Sequence, residues 1–372
     1  WSSDVCSSDL IESPTCATRW HLFASLLLYR KDEFKLVAMT VVVGGNAVLR
    51  MKSAVLIATL ACGAASAAAQ EPTNPLPQGA LTFVVPLAAG GPLDASARMF
   101  GERLGVRINR SIVVENKSGA GGNIGASYVA RAKPDGLTWL YTIDSVLTVN
   151  PHIYDGQGFD PQKDLVPAGR IGHNLLVLGV NSRNVPSKTF AGLLELSKIK
   201  PLSFASAGIG SPGHLAFEYL RLATGLKGAH VPYRGAAPAL QDLIGGSVDA
   251  AFVTGGVILP HTASGALRAL ATSGAERSSQ LPDVPTANEA GISGFEARFG
   301  NYLMISAGSD PAIRKFMAHH LSEIMKDPEV KTKMLNLATE PVFGDEADSI
   351  SRIAADREKW GKVIAASGVK AQ

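Results

Sequence analysis

Three times in this chain a short apolar run passes through a glycine-rich turn straight into a helical pattern, and that succession restricts the fold more than any other feature. Leu81–Val85 leads through Pro86–Gly91 to Asp94–Leu104, and Ser111–Glu115 leads through Lys117–Ala120 to Gly121–Ala132. Leu202–Ser206 leads through Ala207–Ser211 to Gly213–Thr224. Ile124, Tyr128, Val129 and Ala132 recur at helical spacing on one apolar face, whereas the runs before the turns have strand length. Strands alternating with helices at this pace predict an α/β protein with mainly parallel sheets flanked by helices.

The series falls into two lobes. Pro134-Asp135-Gly136 turns into Leu137–Thr142 and completes a first set. A second begins near Leu175–Val180 and continues through Phe190–Lys198, Ala229–Val231, Ala236–Ile244, Ala250–Val253 and Leu267–Ser273. After Asn301–Ser306 come three amphipathic stretches, near Pro311–Lys326, Pro328–Ala338 and Asp345–Ala366, expected to cover the first lobe. The chain is therefore expected to cross between lobes near Gly172–Leu176 and near Glu296–Tyr302. One lobe takes residues 70–173 and 298–372, the other 174–297.

The first 69 residues read differently. Met51-Lys52, the apolar run Ala54–Ala61 and Ala67-Ala68-Ala69 have the order of a cleavable secretory signal over residues 51–69. Lipidation at Cys62 is the alternative, with Thr59 a poor fit to the usual pattern. Residues 1–50 precede a complete signal, read as doubtful or overextended sequence, and stay outside the fold argument. Cys6, Cys16 and Cys62 are the only cysteines, which excludes thiol nucleophiles, thiolate metal sites and internal disulfides beyond Cys62. With 35 basic against 32 acidic residues, the formal +3 gives no electrostatic footprint for nucleic acid. No uninterrupted apolar stretch reaches the roughly 18 residues of a membrane span.

The glycine turns carry the chemistry. A turn without bulky or charged side chains, opening a helix, presents backbone N–H groups that suit a carboxylate, worth about 0.3–1 kcal/mol from the macrodipole. Asp94 is placed to cap the first helix or to fix its loop. Gly208, Gly210 and Gly213 satisfy G-x-G-x-x-G after a strand, but the nucleotide reading also needs an acid about 20 residues on. Gly228–Tyr233 has none there, so no nucleotide or other cofactor is expected. No G-x-S-x-G elbow, Walker A loop or H-E-x-x-H helix occurs, and the histidines lack metal-ligand spacing. His214 is the one to watch, since it starts a helix behind a glycine loop and is placed to orient that loop or to meet a ligand.

Pro86–Arg98, Val113–Gly136, Asn150–Tyr154, Phe159–Pro167, Gly208–His214, Val231–Gly246 and Asp283–Gly291 follow one another in an order that resembles the Bug-type substrate-binding proteins of tripartite tricarboxylate transport systems. The resemblance covers essentially residues 80–366. It implies a two-lobed, type II periplasmic-binding-protein-like fold whose cleft closes on a small organic carboxylate, a membrane permease as partner, and a monomer. It also implies that the first lobe contributes Leu87, Ala88, Ala89 and Gly91, with Asp94 organising the loop and Asn123 and Ser145 adding polar contacts. From the second lobe Ser206, Gly208, Ser211 and His214 would face the cleft, with Tyr233 and Thr254 at its wall.

Family members often carry an aromatic residue where Leu87 stands and a more polar loop around Gly91-Pro92-Leu93. Leu87 and Leu93 therefore predict a more apolar wall and a carboxylate with a hydrophobic body. Two other readings remain open at this level. A sensory receptor signalling to a membrane kinase would share every feature. An enzyme acting on a small acid would have to assemble carboxylates such as Asp144 and Asp249, which read more plainly as a turn cap and a strand edge.

Overall fold

The computed structural model describes residues 73–371, so the leader and Cys62 lie outside the described residues. One side opens with three strands and four helices. They are β1 (Leu81–Val85), α1 (Pro92–Ile108), β2 (Ile112–Asn116), α2 (Asn123–Ala130), β3 (Thr138–Ile143), and the one-turn helices α3 (Ser145–Thr148) and α4 (Asn150–Ile153). Strand β4 (Leu165–Asn181) follows, and after it α5 (Phe190–Ile199), β5 (Leu202–Ser206), α6 (Pro212–Thr224), β6 (Gly228–Pro232), α7 (Ala236–Gly245), β7 (Ala250–Thr254), α8 (Gly255–Ala263) and β8 (Leu267–Thr272). Strand β9 (Arg298–Ser306) then returns to the first side. The chain ends with α9 (Pro311–Ile324), α10 (Pro328–Asn336), β10 (Thr339–Gly344) and α11 (Glu346–Ser367).

The strands run in the order β2-β1-β3-β9-β4-β7-β5-β6, with β8 and β10 also on β4. Parallel pairing is confined to the outer strands: β1 with β2 and β3, and β5 with β6 and β7. The middle is antiparallel, so the sheet is mixed where mainly parallel pairing is expected from the sequence. The physical reason is β4. Its residues 165–175 pair with β9, and from Leu176 it pairs with β7, so one long strand serves both lobes. Pro167, Gly169 and Gly172 sit at its register shifts and interrupt the apolar pattern that would have shown its length.

Parallel outer strands send the turns after β1 and β5 to the same edge, where open α/β sheets collect ligands. Helix α1 starts on Pro92 after an extended Gly91 and buries Leu93, Ala97, Phe100, Leu104 and Ile108 at spacings of three and four. Those side chains meet Phe83, Trp139 and Tyr141 in one core. Helix α6 starts on Pro212, stops at a left-handed Gly225, and packs Leu215, Phe217 and Leu220 with Phe204 in a second core.

Two elements differ from the expected pattern of three closing helices. β10 pairs antiparallel with β4, a six-residue strand hidden by Pro341 and Gly344. Helix α11 does not confine itself to the first lobe: Trp360, Val363 and Ile364 lie in the core of Phe217, Phe295 and Phe299. Trp360 stacks on Phe299 with centroids 5.0 Å apart. Helix α8 was unreadable because Gly255, Gly256 and Pro260 oppose a helix; burial of Ile258 in the core with Val177 outweighs them.

Candidate functional site

Between the two lobes lies a cavity of about 310 Å³. The starts of four helices line it: Pro92 and Leu93 of α1, Ser211 to Gly213 at α6, Ala236 and Ala239 of α7, and Thr254 and Val257 at α8. Each helix start presents unpaired N–H groups and the equivalent of about half a positive charge. None of the lining residues is Asp, Glu, Lys, Arg or His, so the positive field there comes from backbone alone. The walls are largely apolar, with Leu87, Ile143, Leu176, Leu240, Phe252 and Leu337 among them.

The turn after β1 is tied down by charge. Asp94 is buried, and its Oδ2 accepts from the Gly90 N–H at 2.9 Å and from Arg98 Nε at 3.1 Å. Arg98 reaches on to Asn116 Oδ1 at 3.1 Å, and Asn116 Nδ2 donates to the Leu87 carbonyl at 3.1 Å. Burial alone would raise the Asp94 carboxyl, but the Arg98 and Gly90 hydrogen bonds outweigh it and hold the group below its ordinary range. Asp94 thus braces the turn from behind and leaves Leu87 to Gly90 exposed, with Gly91 half-buried, at the cavity mouth.

The turn after β5 is tied down without charge. The Ser206 hydroxyl accepts from the Gly208 N–H at 3.1 Å and lies 2.6 Å from His230 Nε2. His214 Nδ1 accepts from the Gly210 N–H at 3.1 Å, and Ser211 caps α6 by accepting from the His214 N–H. The His214 and His230 rings stack 3.6 Å apart and 7° from parallel. Burial lowers His214 to about 4, with His230 adding to the shift, and burial likewise lowers His230 to about 4. Gly210 has φ +74°, and a Cβ there would come within 2.5 Å of Ile153 Cδ1.

Of the residues expected in the site, Leu87, Ser206, Ser211 and Thr254 line this cavity together. Ala88, Ala89 and Gly91 sit in the exposed turn, and Asp94, Gly208 and His214 support the two turns from outside the lining. Tyr233 is turned away: its hydroxyl donates to Asp242 at 2.6 Å, and burial followed by that bond raises it to about 12. Asn123 borders a separate open depression over α2, where its Oδ1 accepts from Asn150 and Gln157, both at 2.8 Å. Ser145 starts α3 and is not in the lining. The depression is the larger, about 860 Å³, but it is open and lies on one lobe.

Sequence reasoning missed Asn174, Asn301 and Thr339, which form the polar part of the lining with Ser206, Ser211 and Thr254. Thr339 Oγ1 donates to Asn174 Oδ1 at 3.1 Å, and Asn174 Nδ2 lies 3.5 Å from Asn301 Oδ1. They come from β4, β9 and β10, and only strand register joins them. Asp249 accepts from Ser203 N–H and hydroxyl, each at 2.9 Å, and from Lys200 at 3.2 Å. Asp144 is buried and accepts from the Gly300 N–H at 2.8 Å. Neither carboxylate reaches the cavity lining.

Residues 96–369 match the family described as the tripartite tricarboxylate transporter family receptor. The chain belongs to that family. Among the relatives of this receptor is the protein BugT of Bordetella pertussis, 31% identical over 85% of this chain and 96% of its own length. A protein encoded in the TAR-I ttuE-ttuC' intergenic region of Agrobacterium vitis is 32% identical over 86% of this chain and 92% of its own. Among solved structures, R. palustris Rpa4515 with adipate has TM-score 0.71 and 30% identity, covering 79% of the receptor and 99% of that chain. The periplasmic binding protein BugD has TM-score 0.67 and 30% identity, covering 80% and 100%. These neighbours and the curled mixed sheet show the two-lobed binding-protein fold. Among the described residues no helix is long and apolar enough to cross a membrane.

Proposed function

We propose that this receptor captures a small carboxylate with an apolar body between its lobes and hands it to a membrane permease of the tripartite tricarboxylate type. The observation that carries the reading is the cavity itself: four helix starts converge on a space whose lining holds no ionisable side chain and is mostly apolar, with a few neutral amides and hydroxyls. An anionic head is favoured by the N–H groups, at about 1.5–3 kcal/mol for each charge-assisted bond before ordering costs. The body meets Leu87, Leu93, Leu240, Phe252 and Val257. A cavity of 310 Å³ takes about ten waters at ~30 Å³ each, and so a ligand of about ten non-hydrogen atoms. Adipate, found with the Rpa4515 protein, joins carboxylates through an aliphatic chain and has this character.

Ligand spanning Leu87 and Ser206 makes its full set of contacts only when both turns face it, which favours the closed arrangement of the lobes. Asn123, Ser145 and Tyr233 support or border the lobes in this reading and do not touch ligand. The protein works in the periplasm as a monomer, released from its leader, and without turnover: Asp144 and Asp249 are both committed to backbone or side-chain partners away from the cavity. Thermal unfolding against mono-, di- and tricarboxylates tests this. Ligand at 100 times Kd adds about 2.7 kcal/mol, and aliphatic or aromatic-bodied acids are expected to give that response where citrate does not. Tight citrate binding with no response to apolar-bodied acids would overturn the ligand class.

A further inference from the structure

The stacked histidines stand behind the lining residues, outside the cavity lining itself, and hold the turn after β5: His230 contacts the Ser206 hydroxyl and His214 accepts from the Gly210 N–H. His214 Nδ1 accepts from Gly210 N–H, which requires Nδ1 to be unprotonated and the ring, if neutral, to carry its proton on Nε2. His214 Nε2 faces Glu218 Oε1 at 3.9 Å, too far for a hydrogen bond, while Glu218 Oε2 is held by Arg221 Nε at 2.9 Å and Nη2 at 2.7 Å. The neighbours of the His230 ring are Ser206, the His214 ring and, at 6.4 Å, the Phe217 ring.

We propose that His214, with His230 stacked on it, is a positioning residue that clasps the Ala207–Ser211 turn in its ligand-binding form and releases it when the imidazole is protonated. This rests on the reading of that turn as half of the carboxylate site. A proton on Nδ1 sets two N–H groups against each other at Gly210, so the contact is lost. The same charge draws the ring toward the free oxygen of Glu218, away from the turn. Stacking at 3.6 Å also opposes a second charge on His230. The turn therefore has two arrangements of its support, one through Gly210 and one through Glu218. Acidification moves it from the first to the second and weakens the grip on the ligand.

The test compares the wild-type protein with His214→Asn, whose side-chain oxygen takes the place of Nδ1 as acceptor but does not titrate. Binding of adipate and of phenylacetate is measured by calorimetry from pH 7.5 to 4, each variant being normalised to its own value at pH 7.5, so that protonation of the probe cancels. With His214 about half protonated at pH 4, wild type is expected to lose about twofold more affinity than the variant over that range; equal losses overturn the clasp. In parallel, exchange of the Gly210 amide hydrogen and the imidazole nitrogen shifts are followed by NMR without ligand. Gly210 protection, corrected for the intrinsic pH dependence of amide exchange, should fall as His214 titrates in wild type and stay constant in the variant; constant wild-type protection overturns the proposal. If neither probe binds at any pH, the carboxylate reading fails, and the amide profile alone decides the clasp. Should His214→Asn not fold, His230→Gln keeps a hydrogen-bonding group for Ser206 without a titrating ring; relieved of the neighbouring charge, His214 titrates at higher pH, so the loss of Gly210 protection is expected to begin at higher pH than in wild type, and an unmoved profile overturns the proposal.

Discussion

The turn after β1 and the turn after β5 border the same cavity, but they are braced by opposite chemistry. Asp94 and Arg98 hold the first with an ion pair at 3.0 Å, and neutral His214 and His230 hold the second. A carboxylate behind the first turn supplies acceptors for Gly90 while its own charge is absorbed by Arg98. A neutral imidazole supplies the acceptor for Gly210 without placing negative charge near an anion site. The difference teaches that pinning a loop and repelling the ligand are separable, and that the two solutions respond to acid at different points.

The strongest way to break the comparison is to give the first turn a carboxylate that competes with ligand. Gly91 is extended, with φ −81° and ψ 169°, and a Cβ there would lie 3.7 Å from its nearest neighbour, so Gly91→Asp fits as a cap for α1. Adipate affinity is expected to fall more than a hundredfold in calorimetry while the melting temperature holds or rises. Unchanged affinity would mean that this turn only closes the fold.

Asp94→Asn removes the charge and keeps an acceptor for Gly90. About a tenfold loss of affinity and about 1–2 kcal/mol of stability are expected from calorimetry and urea unfolding, discounted because the Arg98 side chain is half exposed. A larger affinity loss in His214→Ala than in Asp94→Asn would rank the neutral brace above the charged one.

Stability against pH sharpens the contrast. The buried histidines bind protons only near pH 4 when folded but near their ordinary 6.5 when unfolded, so their contribution is complete above 6.5 and falls away toward 4. Asp94, lowered below its ordinary value, keeps its contribution until the pH falls lower still. Urea unfolding from pH 7 to 4 should therefore show a steeper decline in wild type than in a His214→Asn, His230→Gln double variant. Equal slopes would remove the pair from the account.

The smallest effect concerns the ligand body. Leu240→Asn is expected to weaken phenylacetate and adipate by roughly threefold to tenfold, the scale of losing part of one aliphatic contact. A gain for apolar-bodied acids would place the body elsewhere.

Leu81–Val85 and Leu202–Ser206 could be read to the residue, because apolar runs bounded by proline and glycine leave no other register. Leu87, Ser206, Ser211 and Thr254 followed from the turns and the family resemblance. Only the Leu175–Val180 end of β4 could be read, since the residues that bend the strand between lobes erase the alternation before it. Asn174, Asn301 and Thr339 belong to no motif, and His230 looked like an isolated strand histidine. Parallel pairing of Ser206 with Pro232 is what brings His230 beside the turn.

What the chain determines alone is local: where backbone N–H groups are left unpaired at helix starts, and that no lysine, arginine or thiol accompanies them in the turns after β1 and β5, apart from Arg98 bracing from within α1. Tertiary structure decided which of those starts meet, because convergence of four helices depends on a sheet that curls around one shared strand. It also decided that the acid and the histidines stand behind the turns instead of in the cavity. Both outcomes depend on contacts between residues far apart in sequence, which no local propensity encodes.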